Sequence, residues 1–246
     1  MAQSLRNKVN NNLLIFIPTY NEKDNVRLII EGLRFNLPKT PILFCDDNSP
    51  DGTSETLKRL AKEFEEIHVV TRSAKLGIGS AHKFGIRKAA ELGFREVLTL
   101  DCDLTHQPSD CSRFASHPDG DVVLGTRFLG RDSLADWNPV RKAITRVGHW
   151  ATCFLLGMPY DATGALRKYR LDRLGVDWLG DVESDGYAFF FESLMVLSAR
   201  GACIEQIPIS LPKRTYGSSK MSMGELVRSF TILLKLCWKR LRRIKI

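Results

Sequence analysis

Two carboxylates, Asp101 and Asp103, flank Cys102 directly after the apolar run Val97-Leu-Thr-Leu100. A strand that ends this way puts both carboxylates at a strand-to-loop transition, within reach of one cation. Hard divalent ions such as Mg2+ or Mn2+ take oxygen ligands and complete their shells with substrate phosphates. Held there, such an ion is a Lewis acid toward a departing diphosphate. An isolated Asp-x-Asp is more often turn or helix-cap chemistry, so the pair gains meaning from what accompanies it.

Two further polar clusters do accompany it. In Asp46-Asp-Asn-Ser-Pro-Asp-Gly-Thr53, Asp46 and Asp47 offer carboxylates to a base or ribose. The same stretch also reads as a turn leading into a helix capped by Asp51, Thr53 or Ser54. In Pro18-Thr-Tyr-Asn-Glu22, Thr19 or Asn21 suits a cap, while Tyr20 and Glu22 suit nucleoside contact. The segment Lys75-Leu-Gly-Ile-Gly-Ser-Ala81 has the glycines of a phosphate-cradling loop but fits neither GxxxxGK[ST] nor GxGxxG. Gly77 and Gly79 there read as sites of close backbone approach at a helix entry.

The elements that must position these clusters follow from apolar patterning. Short β-branched runs at Leu13-Ile17, Pro41-Cys45, Ile67-Thr71, Val97-Leu100 and Asp121-Leu124 read as buried strands. Between them, Asn25-Leu33, Ser54-Phe64 and Ser80-Leu92 carry helical spacing. This alternation predicts an α/β fold with a Rossmann-like, mostly parallel sheet and helices on both faces. Ligands of such sheets sit outside the carboxyl ends of the strands, where all three polar clusters fall. The second half predicts helices at Arg141-Leu156 and Tyr187-Ala199, a loop through Thr163-Gly164, a strand at Cys203-Ile209 and a final basic amphipathic helix.

Composition narrows the classes. With 43% hydrophobic and 26% charged residues, a chain of 246 residues forms one globular core and is neither disordered nor fibrous. The net charge of +8 points to anionic partners: nucleic acid, an anionic leaflet or phosphorylated substrates. Acidic clusters at the strand ends would repel a nucleic-acid backbone, so nucleic acid is the least favoured of the three. Six cysteines without CxxC spacing fit reduced thiols and a cytoplasmic setting. The polar start, Met1 to Asn12, lacks a signal-peptide core, and no run of ~20 apolar residues is long enough to cross a bilayer.

In their order along the chain, Pro-Thr-Tyr-Asn-Glu22, Asp-Asp-Asn-Ser-Pro-Asp-Gly-Thr53, Gly-Ile-Gly-Ser-Ala81, Asp-Cys-Asp103, Gly-Thr-Arg127 and Arg-Thr-Tyr-Gly-Ser-Ser-Lys220 resemble one family. It is that of the inverting, family 2 GT-A glycosyltransferases, specifically the dolichyl-phosphate mannosyltransferases and their bacterial polyprenyl-phosphate relatives. The resemblance covers roughly residues 13 to 230. It implies one GT-A domain over residues 1–224, with a nucleotide-sugar half at 13–128 and an acceptor half at 129–224, followed by a basic amphipathic helix at 225–246.

The resemblance also implies roles. Pro18, Tyr20, Glu22, Cys45 and Asp47 would line the nucleoside pocket, and Asp101, Cys102 and Asp103 would hold Mg2+ or Mn2+ and the diphosphate. Arg127, Arg214 and Lys220 would bind donor and acceptor phosphates, with Arg141 as a further acceptor-phosphate contact; a guanidinium meets phosphate as a planar fork and an ammonium as a mobile point charge. Asp103, Arg127 and Arg214 are the residues expected to matter most for turnover. Cys102 departs from the family's usual alanine, Thr105 from a glutamine that assists the metal, and Leu166 and Lys168 from the aromatic pattern of the Asp161-Ala-Thr-Gly-Ala-Leu-Arg167 stretch.

The implied reaction moves a hexose, mannose from GDP-mannose as the first choice, onto dolichyl or polyprenyl phosphate by in-line displacement at the cytoplasmic face of a membrane. An already ionised phosphate needs no strong base. Under the alternative, a UDP-sugar and a hydroxyl acceptor, Asp185 is the candidate base. From Glu225, the residues Leu226, Phe230, Leu233, Leu234, Trp238 and Leu241 share one helical face, with cations gathered toward the end. That pattern suits peripheral attachment to a membrane, alone or with a small membrane subunit.

Overall fold

The computed structural model describes residues 12–130, 133, 134, 137, 139–212 and 222–242. Its centre is a seven-stranded sheet built from β1 (Leu13–Thr19), β2 (Ile42–Asp46), β3 (Ile67–Thr71), β4 (Glu96–Thr99), β5 (Val122–Thr126), β6 (Arg167–Arg170) and β7 (Ile204–Pro208), in the order β3-β2-β1-β4-β6-β5-β7. All neighbouring pairs are parallel except those of β6, which runs antiparallel to both β4 and β5.

Strand alternation divides the core in two. Along β1, Leu14 and Phe16 point to one face, and Leu13, Ile15 and Ile17 to the other. The second face is covered by α1 (Val26–Asn36), α2 (Thr53–Glu63) and α4 (Pro108–Ser116). The first face is covered by α3 (Ile78–Glu91) and α7 (Phe189–Ala199), and it also receives Leu156 from the end of α5 (Pro139–Leu156). A short helical turn, α6 (Leu171–Leu174), follows β6, and α8 (Met223–Leu241) packs beside α5. Ser222 caps α8 by accepting the Glu225 N–H at 3.2 Å, with Glu225 three residues on, in the order of a capping box.

The strands and helices expected from apolar patterning are present, with no end shifted by more than three residues. Among the elements that carry no such signal are α4 and β6. In α4 only Cys111 and Phe114 are buried, too few to draw a periodic stripe. β6 reads Arg-Lys-Tyr-Arg, yet Arg167 and Lys168 are each 1% exposed in the middle of the sheet. Burial is tolerated there because acceptors surround both side chains. The Arg167 guanidinium donates to the carbonyls of Ala162, Gly164 and Phe190, and Lys168 donates to the His117 carbonyl at 2.6 Å beside Glu96. Burial still pulls the Lys168 ammonium below its usual range, with Glu96 opposing.

Another buried ionisable group lacks such partners. His82 of α3 is fully enclosed by the rings of Phe16, Phe189 and Phe190, at centroid distances of 5.9, 5.6 and 5.0 Å, and neither ring nitrogen has a hydrogen-bond partner. Desolvation, helped by the nearby charge of Arg167, pushes its pKa down to about 3 from 6.5. Between those values the unfolded chain binds a proton that the folded chain refuses, so stability falls as pH drops below about 6.5. Urea unfolding midpoints at pH 7 and pH 5 should show a smaller acid loss in His82→Leu than in the wild type; an equal loss in both would show that His82 does not carry it.

Candidate active site

The carboxyl ends of β1, β2 and β4 and the loop after β5 open onto one cavity of about 400 Å³. Its lining gathers Pro18, Tyr20, Glu22 and Asp47 from the ends of β1 and β2, Asp101, Cys102 and Asp103 from the end of β4, and Arg127, Trp137 and Arg141 from the chain after β5. Residues drawn together here from across the chain are thus most of those singled out by type and spacing. Arg214 and Lys220 lie outside the described residues.

The nucleoside side is braced by a carboxylate pair with divided duties. Asp46 is wholly buried and accepts from the Thr19 hydroxyl, the Ser49 hydroxyl and the Ser49 N–H, tying the loop after β2 to β1. Asp47 faces the cavity, and both its oxygens accept from Arg72, at 2.5 and 2.7 Å, while the Leu76 N–H adds a third bond at 3.2 Å. Asp47 therefore fixes the loop that carries Lys75 over the Tyr20 ring, 4.2 Å from its centroid. Glu22 is oriented by its N–H to Thr53 Oγ1 and by Asn25 Nδ2 at 2.6 Å. Cys45 is a correction to the expected pocket: it is fully buried in the core and absent from the cavity wall, and burial, only partly offset by Arg72, raises its thiol to about 12.

Asp101 and Asp103 sit on the sharp turn after β4. Asp103 Oδ1 accepts from both the Thr105 hydroxyl (2.6 Å) and the Thr105 N–H (3.1 Å), and Leu104 between them takes a left-handed φ of 60°. Thr105 thus orients the second aspartate. The Asp101 N–H donates to His106 Nδ1 at 3.1 Å, so that nitrogen is an acceptor and the neutral ring carries its proton on Nε2. Among the described residues no group of three or more His, Cys, Asp or Glu side chains could hold a metal ion. Two carboxylates opening onto a cavity suit a hard cation that draws its other ligands from diphosphate and water.

In the loop after β5 Arg127 is held as a rigid fork. Its Nε and Nη2 donate to the two oxygens of Asp161 at 2.8 and 2.5 Å, and its own N–H donates to Asp161 as well. Burial alone would raise the Asp161 carboxyl, but the bonds and charge of Arg127 outweigh it and hold the group below the usual carboxylate range. Arg141 stacks on Trp137, 3.7 Å from the ring.

Gly186 and Tyr187 add to the wall, on a segment where residues 185 and 186 close against the start of α3. A Cβ on Gly77 would strike the Asp185 carbonyl and one on Gly79 would lie 2.6 Å from the Phe189 Cβ, so both glycines permit the close approach their spacing suggested. Gly186 and Tyr187 face the cavity, whereas the Asp185 side chain pairs with Lys83 at 3.1 Å and does not line it. Sequence reading missed Arg72, Trp137 and His106. Arg72 had one signal, a cation directly after a strand end.

With the geometry in place, likeness to known proteins is informative. Residues 14–194 match the profile of Glycosyl transferase family 2. The chain is 34% identical over 214 residues to undecaprenyl-phosphate mannosyltransferase of Micrococcus luteus, covering 86% of this chain and 88% of that protein. It is 32% identical over 213 residues to polyprenol monophosphomannose synthase of Mycolicibacterium smegmatis, covering 85% and 80%. In fold it is similar to glucosyl-3-phosphoglycerate synthase from Mycobacterium tuberculosis in complex with Mn2+, UDP and glucosyl-3-phosphoglycerate, with a TM-score of 0.62 and 16% identity over 98% of this chain and 84% of that one. The same enzyme with Mg2+ and UDP gives 0.61 and 16% over 96% and 83%. The profile runs from β1 into α7 and takes in all three groups of cavity residues, and this chain is a glycosyltransferase of family 2.

Proposed function

We propose that this enzyme transfers a hexose, mannose from GDP-mannose, to the phosphate of dolichol or another polyprenol at the cytoplasmic face of a membrane. The observation that carries the reading is that Asp101, Asp103, Arg127 and Arg141 all line one cavity. That arrangement matches a reaction with phosphate on both sides of the transferred sugar. The names of the two bacterial relatives support the same donor sugar and acceptor class.

In this reading residues 13–128 serve the donor and residues 129–224 the acceptor. Pro18, Tyr20 and Glu22 take the nucleoside. Asp101 and Asp103 hold Mg2+ or Mn2+, which supplies charge neutralisation to the leaving diphosphate. Arg127 and Arg141, joined by Arg214 and Lys220, hold the phosphates. A lipid phosphate oxygen forms the new bond to the anomeric carbon as the bond to the diphosphate oxygen breaks, on opposite faces of the sugar. No proton needs to be removed, so the side chains position and stabilise charge. A hydroxyl acceptor would require a base, and Asp185, the residue considered for that task, is paired with Lys83 off the cavity. Attachment is peripheral, through α8 or with a small membrane subunit.

Two experiments test the reading. Radiolabelled sugar from GDP-mannose should appear on a short polyprenyl phosphate in detergent with Mn2+ or Mg2+, and neither EDTA nor Asp103→Asn should leave more than about 1% of the rate. Transfer only from a UDP-sugar, or only to a hydroxyl acceptor, would overturn it. Asp161→Asn removes the partner of a largely buried guanidinium, and breaking such a pair costs about 3–5 kcal/mol. The variant should melt earlier and, at temperatures where it stays folded, turn over about 100-fold more slowly because Arg127 loses its orientation; unchanged turnover would remove Arg127 from the mechanism.

A further inference from the structure

Among the described residues five carboxylates line the reaction cavity: Glu22, Asp47, Asp101, Asp103 and Glu225. Four of them have a task. Glu22 receives the Asn25 amide at 2.6 Å, Asp47 holds Arg72, and Asp103, oriented by Thr105, shares with Asp101 the cation assigned to them above. Glu225, in the first turn of α8, has none. Its backbone N–H donates to the Ser222 hydroxyl, but the reciprocal bond of a capping box, from the N-cap N–H back to the glutamate carboxylate, is not formed between these two described residues. The carboxylate lies against Gly186 instead, where an added Cβ would come within 2.5 Å of Oε2.

No described cation pairs with it there. Lys235 and Lys239, further along α8, are taken by Glu183 at 2.6 and 3.3 Å, and Lys83 is taken by Asp185 at 3.1 Å. The helix dipole favours an acidic residue in this turn whichever way it points. It does not account for a carboxylate that gives up its cap and joins Gly186 and Tyr187 in the cavity wall.

The proposed reaction supplies what this carboxylate lacks. Donor and acceptor bring a nucleoside, phosphates and a hexose to the cavity. Phosphates are repelled by Glu225, and the nucleoside is assigned to Pro18, Tyr20 and Glu22. The hexose is neutral, rich in O–H donors, and the one part with no side chain yet assigned to it. Neighbouring hydroxyls of a pyranose can donate to the two oxygens of one carboxylate, and hydrogen bonds to an ionised acceptor are about twice as strong as neutral ones. A site built to pair hydroxyls also rejects a sugar that leaves its acceptor unpaired.

We propose that Glu225 binds hydroxyls of the transferred hexose and selects which hexose is used, an assignment that rests on the sugar transfer proposed above. The test is a comparison of the wild type, Glu225→Ala and Glu225→Gln with GDP-mannose and with GDP-mannose deoxygenated at C2, C3, C4 or C6, using a short polyprenyl phosphate in detergent. In Glu225→Ala, kcat/KM for GDP-mannose should fall roughly 10- to 100-fold, with Glu225→Gln, which keeps one acceptor, in between. Inhibition by GDP, which carries no hexose, should stay within about twofold of the wild type. Removing the hydroxyl that Glu225 holds should cost the wild type about as much as the Ala substitution does and cost Glu225→Ala almost nothing further. Equal losses in wild type and variant for every deoxy donor would overturn the assignment, as would a loss of GDP affinity matching the loss for GDP-mannose, which would mark Glu225 as purely structural. If the wild type accepts only a UDP-hexose, the GDP-mannose reading falls, and the same comparison with deoxy-UDP-hexoses supports or overturns the role of Glu225 on its own.

Discussion

A carboxylate gathered into a crevice loses water, and it is tolerated there only if N–H donors, a guanidinium or a metal ion takes water's place. The site is organised by that requirement. Asp46 is satisfied by a hydroxyl pair and a backbone N–H, Asp47 by Arg72, and Asp161 by Arg127. Each of these pairings fixes a loop that no strand or helix fixes: the turn after β2, the Lys75–Gly77 approach to α3, and the segment that brings Arg127 to the cavity. Asp101 and Asp103 occupy the same edge of the sheet, their turn is set by Thr105 and His106, and both line the cavity.

The same principle accounts for the one strand whose residues look wrong for a sheet. β6 inserts between β4 and β5 in the opposite direction, and its buried Arg167 gathers the carbonyls of residues 162, 164 and 190. Those carbonyls belong to the loop behind Asp161 and to the start of α7, which places Tyr187 at the cavity. A buried cation thus links the sheet's centre to the acceptor side of the site. His82, a few ångströms behind the same wall, has no comparable set of acceptors and is kept neutral instead.

Much of this was legible in the sequence because apolar period and turn residues are local signals. The runs at Leu13-Ile17, Pro41-Cys45, Ile67-Thr71, Val97-Leu100 and Asp121-Leu124 announce strands, and the polar clusters after the first, second and fourth announce the crevice. What escaped was non-local. Arg72 and Asp47 are 25 residues apart and Arg127 and Asp161 are 34 apart, so nothing in either neighbourhood marks them as partners. β6 escaped because its burial depends on acceptors supplied by distant loops, and Cys45 was misplaced because family likeness gives a position along a strand without saying which face the side chain takes. Leu233 was misplaced for a related reason: the helical period of α8 was readable, but which of its faces meets a core depends on where the helix packs, and Leu233 turns inward.

The central claim is that Asp101 and Asp103 form the edge on which a divalent cation and a nucleoside diphosphate are held together. Electron paramagnetic resonance of Mn2+ tests it most directly, because the sharp signal of the free aqueous ion disappears on binding. Adding the wild-type protein should deplete that signal strongly with GDP present and weakly without it, and Asp101→Asn or Asp103→Asn should restore the free signal to the level set by GDP alone. Equal depletion by the wild type and both variants would mean that the ion is held elsewhere and would contradict the account.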